Sequence, residues 1–371
     1  MSDRGSNLSS RRLPAVSDDG RPGCCGSLRR SVRRETRERR VWEEAVVPCL
    51  AAGRAVSGSG DRHAGGIRFA VSTSGFPNLT ELIERARWAE RVGFSTFAVS
   101  DHLTGASPFV TLQAIASATS DIGLGTLVVN NDWRHPVLLA QDAATVHHLS
   151  GGRLELGIGA GWARPEYLRA GIRYEPPRTR IARLEESVLA LRHMFTGAPV
   201  THHGKHYDLN DHFLIPHPPA DRPVPLLIGG NGDRLLRLAA EHADIVGFTG
   251  FGPDHDGVNV RSHFSRSGLA DRVEFVRGRS GDREIELNVL VQQLVITDDR
   301  EFLARTYAQR QGVSMLETLT NPFLVYGSVE ECCLQLTRLR DDLGVTYVTV
   351  FDNSAEAAAE VMAALSRTDD L

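Results

Sequence analysis

The chain has 371 residues, 41% of them hydrophobic, and a formal net charge of −4. That composition suits a globular protein with a sizeable core, and no apolar run approaches the roughly 18 residues that cross a bilayer. Charge is uneven: residues 1–66 hold 13 Arg against 8 Asp or Glu, a net +5, and the rest holds 29 Lys or Arg against 38 Asp or Glu, a net −9. An acidic body argues against nucleic-acid binding by the main domain. Cys24, Cys25, Cys49, Cys332 and Cys333 form no CxxC motif and no disulfide framework, so reduced thiols and a cytoplasmic location are expected.

Residues 1–66, rich in Ser, Gly and Arg, include LRRSVRRETRERR, which has no apolar stripe, and they read as a disordered extension. SSRRLPAV has paired arginines as an export signal does, but SDDGRPG follows instead of an apolar region. The domain proper spans 67–371. IRFAVST is a first strand; Asn78 then precedes Glu81 at capping-box spacing, with Leu79, Leu82, Ile83 and Ala86 on one helical face. FSTFAVS is a second strand and leads to a helix opening at Ser107-Pro108. IGLGTLVV is a third, with a helix from Pro136. RLELGIG is a fourth, and its long helix carries Ile181, Leu184, Val188 and Leu191. VTHHGKHYDL reads as a hairpin inserted in this rhythm. PLLIGG is strand five, with a helix from about Asp233, ADIVGFT is six and IELNVLVQQLVI is seven. Ser328 and Glu331 repeat the capping spacing before VTYVTVF, strand eight. Eight strands alternating with helices predict an α/β fold, a (β/α)8 TIM barrel with insertion segments; a doubly wound open sheet is the alternative.

Asp101 and His102 end a dry strand, FAV, where charge is costly unless paired or used in a cleft. In a barrel they fall at the C-terminal strand ends, where active sites are built. Gly157, Gly159 and Gly161 match only part of a dinucleotide fingerprint, since Trp162 stands in the third glycine's place and Pro165 argues against an early helix. Gly159 and Gly161 suit a strand end that a flat ligand approaches closely. Gly229, Gly230, Asn231 and Gly232 join strand five to a helix, so free N–H groups there form an anion nest or a tight turn. The sequence contains no G-x-S-x-G, H-E-x-x-H or Walker A motif. His202, His203, His206, His212 and His217 could mark a metal, but they lack a carboxylate pattern and read as a solvated hairpin; no metal is expected.

GFSTFAVSDHL, GTLVVNNDWRHPVLLAQDAATVHHLSGGRLELGIGAGW and PLLIGGNG…LAAEHADIVGFT together resemble the luciferase-like superfamily, and within it the F420-dependent oxidoreductases, over about 67–352. The resemblance implies a TIM barrel binding a reduced deazaflavin or flavin at its C-terminal mouth. It makes His102 the catalytic histidine and Asp101 its partner. It implies a bulge with a non-prolyl cis peptide around Val128, Val129 and Asn130, behind the ring. Gly229–Gly232 match its phosphate loop, and Thr249 a polar residue at the cofactor tail. Trp162 stands where sugar-phosphate dehydrogenases of the family carry Glu, and Gly252 where they carry a phosphate-binding Lys, which argues against a sugar phosphate. Glu166 is near enough in sequence to be an acid–base partner of His102. The expected activity is hydride transfer between C5 of coenzyme F420 and a small organic substrate. The alternative is an FMN-dependent monooxygenase supplied by a partner reductase, and a third reading is a cofactor-binding or sensory barrel without chemistry. A homodimer is compatible with any of these.

Overall fold

The computed structural model describes residues 66–368 apart from 77, 254–258 and 262–263. The extension expected over 1–66 lies outside the described residues except for Gly66. Eight parallel strands close on themselves: β1 (Arg68–Thr73), β2 (Thr96–Val99), β3 (Gly123–Thr126, resumed at Val129–Asn130), β4 (Leu154–Gly159), β5 (Leu226–Gly229), β6 (Ile245–Phe248), β7 (Glu286–Val291) and β8 (Val345–Phe351). β8 pairs with β1 and β3 with β4, so the sheet has no free edge and the open-sheet alternative is excluded. The helices are α1 (Leu79–Arg91), α2 (Pro108–Ala118), α3 (Pro136–Leu149), α4 (Arg164–Arg169), α5 (Pro177–Met194), α6 (Asp233–His242), α7 (Arg266–Ser280), α8 (Arg300–Gln311), α9 (Met315–Leu319), α10 (Val329–Leu343) and α11 (Ala355–Thr368). None of the described helices is long and apolar enough to cross a membrane.

Local chemistry sets these boundaries. Asn78 accepts the Glu81 N–H at 3.0 Å to cap α1, and Ser328 with Glu331 completes a capping box on α10. Proline occupies the first turn of α2 and α3, where its missing N–H has no helical partner to lose. The same applies to Pro165, which lies in the first turn of α4; the expectation that it would prevent an early helix is corrected here. The seventh predicted strand divides in two. β7 stays in the barrel, and Gln293–Ile296 leaves it to pair with Leu324–Gly327.

The hairpin forms from Val200–His203 and Asp208–His212. Its tip is held by Glu186 of α5, which accepts the N–H groups of Lys205, His206 and Tyr207 at 3.0, 2.9 and 3.1 Å. His203 pairs with Asp208 at 2.6 Å, and among the described residues no group of three or more His, Cys, Asp or Glu could hold a metal.

Alternation along the strands sorts the interior. On β1, Phe69 and Val71 pack in the layer between strands and helices, whereas Ala70 packs inside the barrel and Ser72 lines a cavity. At the N-terminal end, Arg68 of β1 pairs with Glu155 of β4 and Glu286 of β7, each at 2.6 Å. Above them Ala70, Leu227, Ile245 and Tyr347 form a buried layer with Leu127 and Val128 against it. That layer is the floor of the C-terminal mouth.

Candidate active site

One cavity of about 800 Å³ opens at the C-terminal ends of the strands. It is lined by the residues expected to act in catalysis or cofactor binding: Asp101 and His102 after β2; Val128, Val129 and Asn130 where β3 is interrupted; Gly159, Gly161 and Glu166 at and after β4; Gly229, Gly230, Asn231 and Gly232 at and after β5; and Thr249 after β6. The non-prolyl cis peptide lies in the β3 interruption, at Leu127–Val128.

His102 Nδ1 lies 2.7 Å from Glu166 Oε1, and the other Glu166 oxygen accepts the Leu103 N–H at 2.9 Å. α4 presents Glu166 as its third residue, so the short helix that Pro165 opens is what carries the carboxylate to the histidine. An ionised Glu166 makes Nδ1 the protonated nitrogen of neutral His102 and leaves Nε2 as the acceptor. Trp162 sets its ring edge-on to the imidazole at 6.2 Å.

Asp101 is not the partner of His102, contrary to the expectation. Its two oxygens take the Arg134 guanidinium, and Oδ2 also accepts the Asn130 N–H at 2.9 Å. It is a buried tie between the loop after β2 and the resumed half of β3. Adjacency in sequence is the reason for the difference: consecutive residues leaving a strand point to opposite sides, so the two side chains find different partners.

The glycine wall also has a different cause from the one expected. A Cβ on Gly161, at φ +75°, would come within 2.1 Å of the Tyr167 hydroxyl and 2.6 Å of Asn130 Oδ1. On Gly159 it would meet Val128 Cγ2 at 2.8 Å. These positions are small because protein atoms already fill the space. Gly230 is similar, since a Cβ there would strike Leu235 of α6 at 2.2 Å. Gly232 differs. It is the N-cap of α6, no side chain caps that helix, and its Cβ position has nothing within 4 Å. The nest is therefore open at Gly232 and the α6 N-terminus. Asn231 and Thr249 brace it from behind: Asn231 Nδ2 donates to Thr249 Oγ1 at 3.2 Å and to the Phe251 carbonyl, and Thr249 Oγ1 accepts the Phe251 N–H at 3.2 Å.

Residues 56–331 match the family model described as luciferase-like monooxygenase. The chain belongs to that family. It is 34% identical over 233 residues to an F420-dependent glucose-6-phosphate dehydrogenase of Nakamurella multipartita, covering 60% of this chain and 65% of that one. It is also 34% identical over 166 residues to a 5,10-methylenetetrahydromethanopterin reductase of Archaeoglobus fulgidus, covering 45% and 48%. The chain thus spans about half to two thirds of these relatives. Among solved structures, the coenzyme F420 dependent tetrahydromethanopterin reductase from Methanopyrus kandleri superposes with a TM-score of 0.64 at 19% identity, over 80% of this chain and 96% of that one. This last likeness concerns the fold.

This luciferase-like barrel also holds a polar cluster beside Asn130, a residue that lines the cavity. Asp132 pairs with Arg183 at 2.7 Å and accepts the Tyr167 hydroxyl at 3.2 Å, while that hydroxyl accepts from Asn130 Nδ2 at 2.9 Å. Burial raises the Asp132 pKa, against the pull of Arg183, and burial together with Asp132 raises that of the Tyr167 phenol. Tyr167 stays a protonated donor. Arg134 and Asp132 sit in the polar run NNDWR directly after strand three, a signal that was available. Arg180 was available too, because it lies four residues before Leu184 on the stripe that α5 buries.

Proposed function

We propose that the chain is an oxidoreductase that uses coenzyme F420 to move a hydride to or from a small organic substrate. The observation that carries this is the His102–Glu166 pair at 2.7 Å on the wall of a cavity large enough for a tricyclic cofactor and a second molecule. F420-dependent relatives at 34% identity support the cofactor.

The residues present fit such a group. Gly232 and the uncapped α6 N-terminus offer N–H groups and a helix dipole to a phosphate. Val128, Val129 and Gly159 form a surface without charge for a flat ring. Bound there, F420 supplies the carbon, C5, that exchanges hydride. The chain's own part is proton handling and positioning. His102 Nε2 takes the proton of a substrate hydroxyl as hydride leaves, or returns it in the reverse direction. Glu166 holds the ring in the tautomer this requires and stabilises the imidazolium that forms. Asp101 positions the resumed half of β3 through the Asn130 N–H. Trp162 bounds the substrate side beside His102, and neither Trp162 nor Gly252 offers charge to a sugar phosphate.

A cytoplasmic location, a homodimer and an F420 reductase acting in trans belong to the same proposal. The cytoplasmic part rests on the absence of a disulfide framework in the cysteine spacing. The FMN alternative shares the phosphate nest, so a direct titration decides. Purified protein is titrated with F420 and with FMN, each oxidised and reduced. F420 should bind at least about tenfold more tightly, a difference of about 1.4 kcal/mol. Tight FMN binding with negligible F420 binding would reverse the assignment.

A further inference from the structure

Arg180 stands apart from the machinery just described. It is in the first turn of α5, is 2% exposed and lines the cavity. Its guanidinium lies 4.1 Å over the Tyr174 ring, and its Nε and Nη1 have no hydrogen-bond partner among the described residues. The indole Nε1 of Trp133, which lines the same cavity, is likewise buried and without a partner. Ring packing joins the two donors: Trp133 on Tyr167 at 5.6 Å, Tyr167 on Tyr174 at 5.0 Å, and Tyr174 beneath Arg180.

Charge is unbalanced at this wall. Asp132 draws on both Arg183 and Arg180, but its ion pair is with Arg183 at 2.7 Å, so two guanidinium groups share one carboxylate. A buried cation with open donors is destabilising unless something satisfies it, and both open donors lie in groups that line the ligand cavity. Both can only donate hydrogen bonds, so they call for an acceptor, and the buried positive charge favours an oxyanion over a neutral oxygen.

We infer that Arg180, helped by the Trp133 N–H, receives an oxyanion of the substrate, a carboxylate or phosphoryl group, so that the reacting molecule is a small organic acid and not a neutral alcohol. The oxyanion site stands on Arg180 and Trp133; that the molecule it orients is the F420 co-substrate rests on the function proposed above. This site is distinct from the nest at Gly232, which lies after β5 and is built of backbone.

The test uses the full chain as wild type, Arg180→Met, Arg180→Lys and Trp133→Phe. Melting temperature is first followed without cofactor as inorganic phosphate or acetate replaces chloride at constant ionic strength. The nest responds equally in all four proteins, so differences between them report the Arg180 site. Arg180→Met should weaken the anion response about tenfold, the usual worth of a hydrogen bond to a charged group. Arg180→Lys should restore part of it, and Trp133→Phe should weaken it by a smaller factor. Without anions, Arg180→Met should melt at or above the wild-type temperature, because an unsatisfied charge has been removed. F420 affinity, measured separately, should change less than about twofold in every variant.

An anion response in Arg180→Met equal to wild type would overturn the site, and for a protein in which that substitution prevents folding, an unchanged response in both Arg180→Lys and Trp133→Phe would do the same. A lower melting temperature without anions would make Arg180 a structural cation. A selective loss of F420 affinity would assign it to the cofactor tail, which also overturns the inference. Wild-type protein that responds to anions through Arg180 yet binds no F420 would support the site while removing the cofactor assignment.

Discussion

Two buried arginines lie at opposite ends of the barrel. Arg68, at the N-terminal end, has an 11% exposed side chain and uses all three guanidinium nitrogens: Nε and Nη2 on Glu286 at 2.7 and 2.6 Å, and Nη1 on Glu155 at 2.6 Å. Its Cζ lies 3.4 Å over the Tyr347 ring, and the Tyr347 hydroxyl donates to Glu155 at 3.2 Å. Burial opposes its charge, yet Glu155 and Glu286 outweigh that and hold it protonated. Arg180, at the other end, is more deeply buried and has two open nitrogens. The first pattern seals the barrel, and the second leaves bonding capacity on a residue that lines a cavity. Satisfaction of hydrogen bonds, more than burial or charge, separates a structural residue from a functional one here.

Mutation should split activity from stability along that division. His102→Ala should lower turnover by roughly 10²–10⁴, the worth of one acid–base group, while melting temperature and F420 affinity hold; steady-state kinetics on the best substrate from a screen of alcohols, aldehydes and organic acids checks it. Full activity would make His102 structural. Arg68→Met is the mirror image. It leaves the partly buried carboxylates of Glu155 and Glu286 without their cation, so it should cost about 3 kcal/mol in denaturant unfolding, the low end for a broken buried pair, and leave turnover per folded molecule unchanged. If it instead lowers turnover at wild-type stability, the two ends are not separable.

Between these extremes, Glu166→Gln should cost at least about tenfold in turnover, whereas Asp101→Asn should cost about 1–3 kcal/mol of stability by weakening the Arg134 tie. The reverse pattern would reinstate Asp101 as the partner of His102. Gly161→Ala tests the wall itself. With a positive φ and Tyr167 and Asn130 in the way, it should lose about 1–3 kcal/mol, seen as a lower melting temperature; wild-type stability would mean the wall yields.

His147 of α3 belongs to neither end and sets a baseline. It is fully buried, its Nε2 lies 2.9 Å from the Arg222 carbonyl, and burial lowers its pKa below 6.5. Between 6.5 and that lower native value the unfolded chain binds a proton that the folded chain does not. Its contribution is therefore complete above 6.5 and declines as pH falls through that window. His147→Gln should flatten this part of the melting-temperature profile by an amount on the order of 1 kcal/mol or less. A profile as steep as wild type would assign the acid sensitivity to other groups.

Strand and helix positions, the caps of α1 and α10, and membership of the luciferase-like family were legible in the chain because period, capping and turn chemistry act over a few residues. His102, Glu166 and the loop around Gly232 were legible for a related reason, since barrel topology delivers whatever follows a strand to one mouth. Partnerships were not. Asp101 neighbours His102 in sequence but pairs with Arg134; Glu166 reaches His102 across 64 residues; Gly161 is small because of Tyr167 and Asn130. Arg68 and Arg180 read alike as arginines among apolar residues, and only the closed barrel decides that one pairs with Glu155 and Glu286 while the other keeps Nε and Nη1 without a hydrogen-bond partner among the described residues. Sequence determines local geometry through short-range sterics and hydrogen bonds, but whether a buried charge is satisfied depends on residues that only the closing of the sheet brings within about 3 Å.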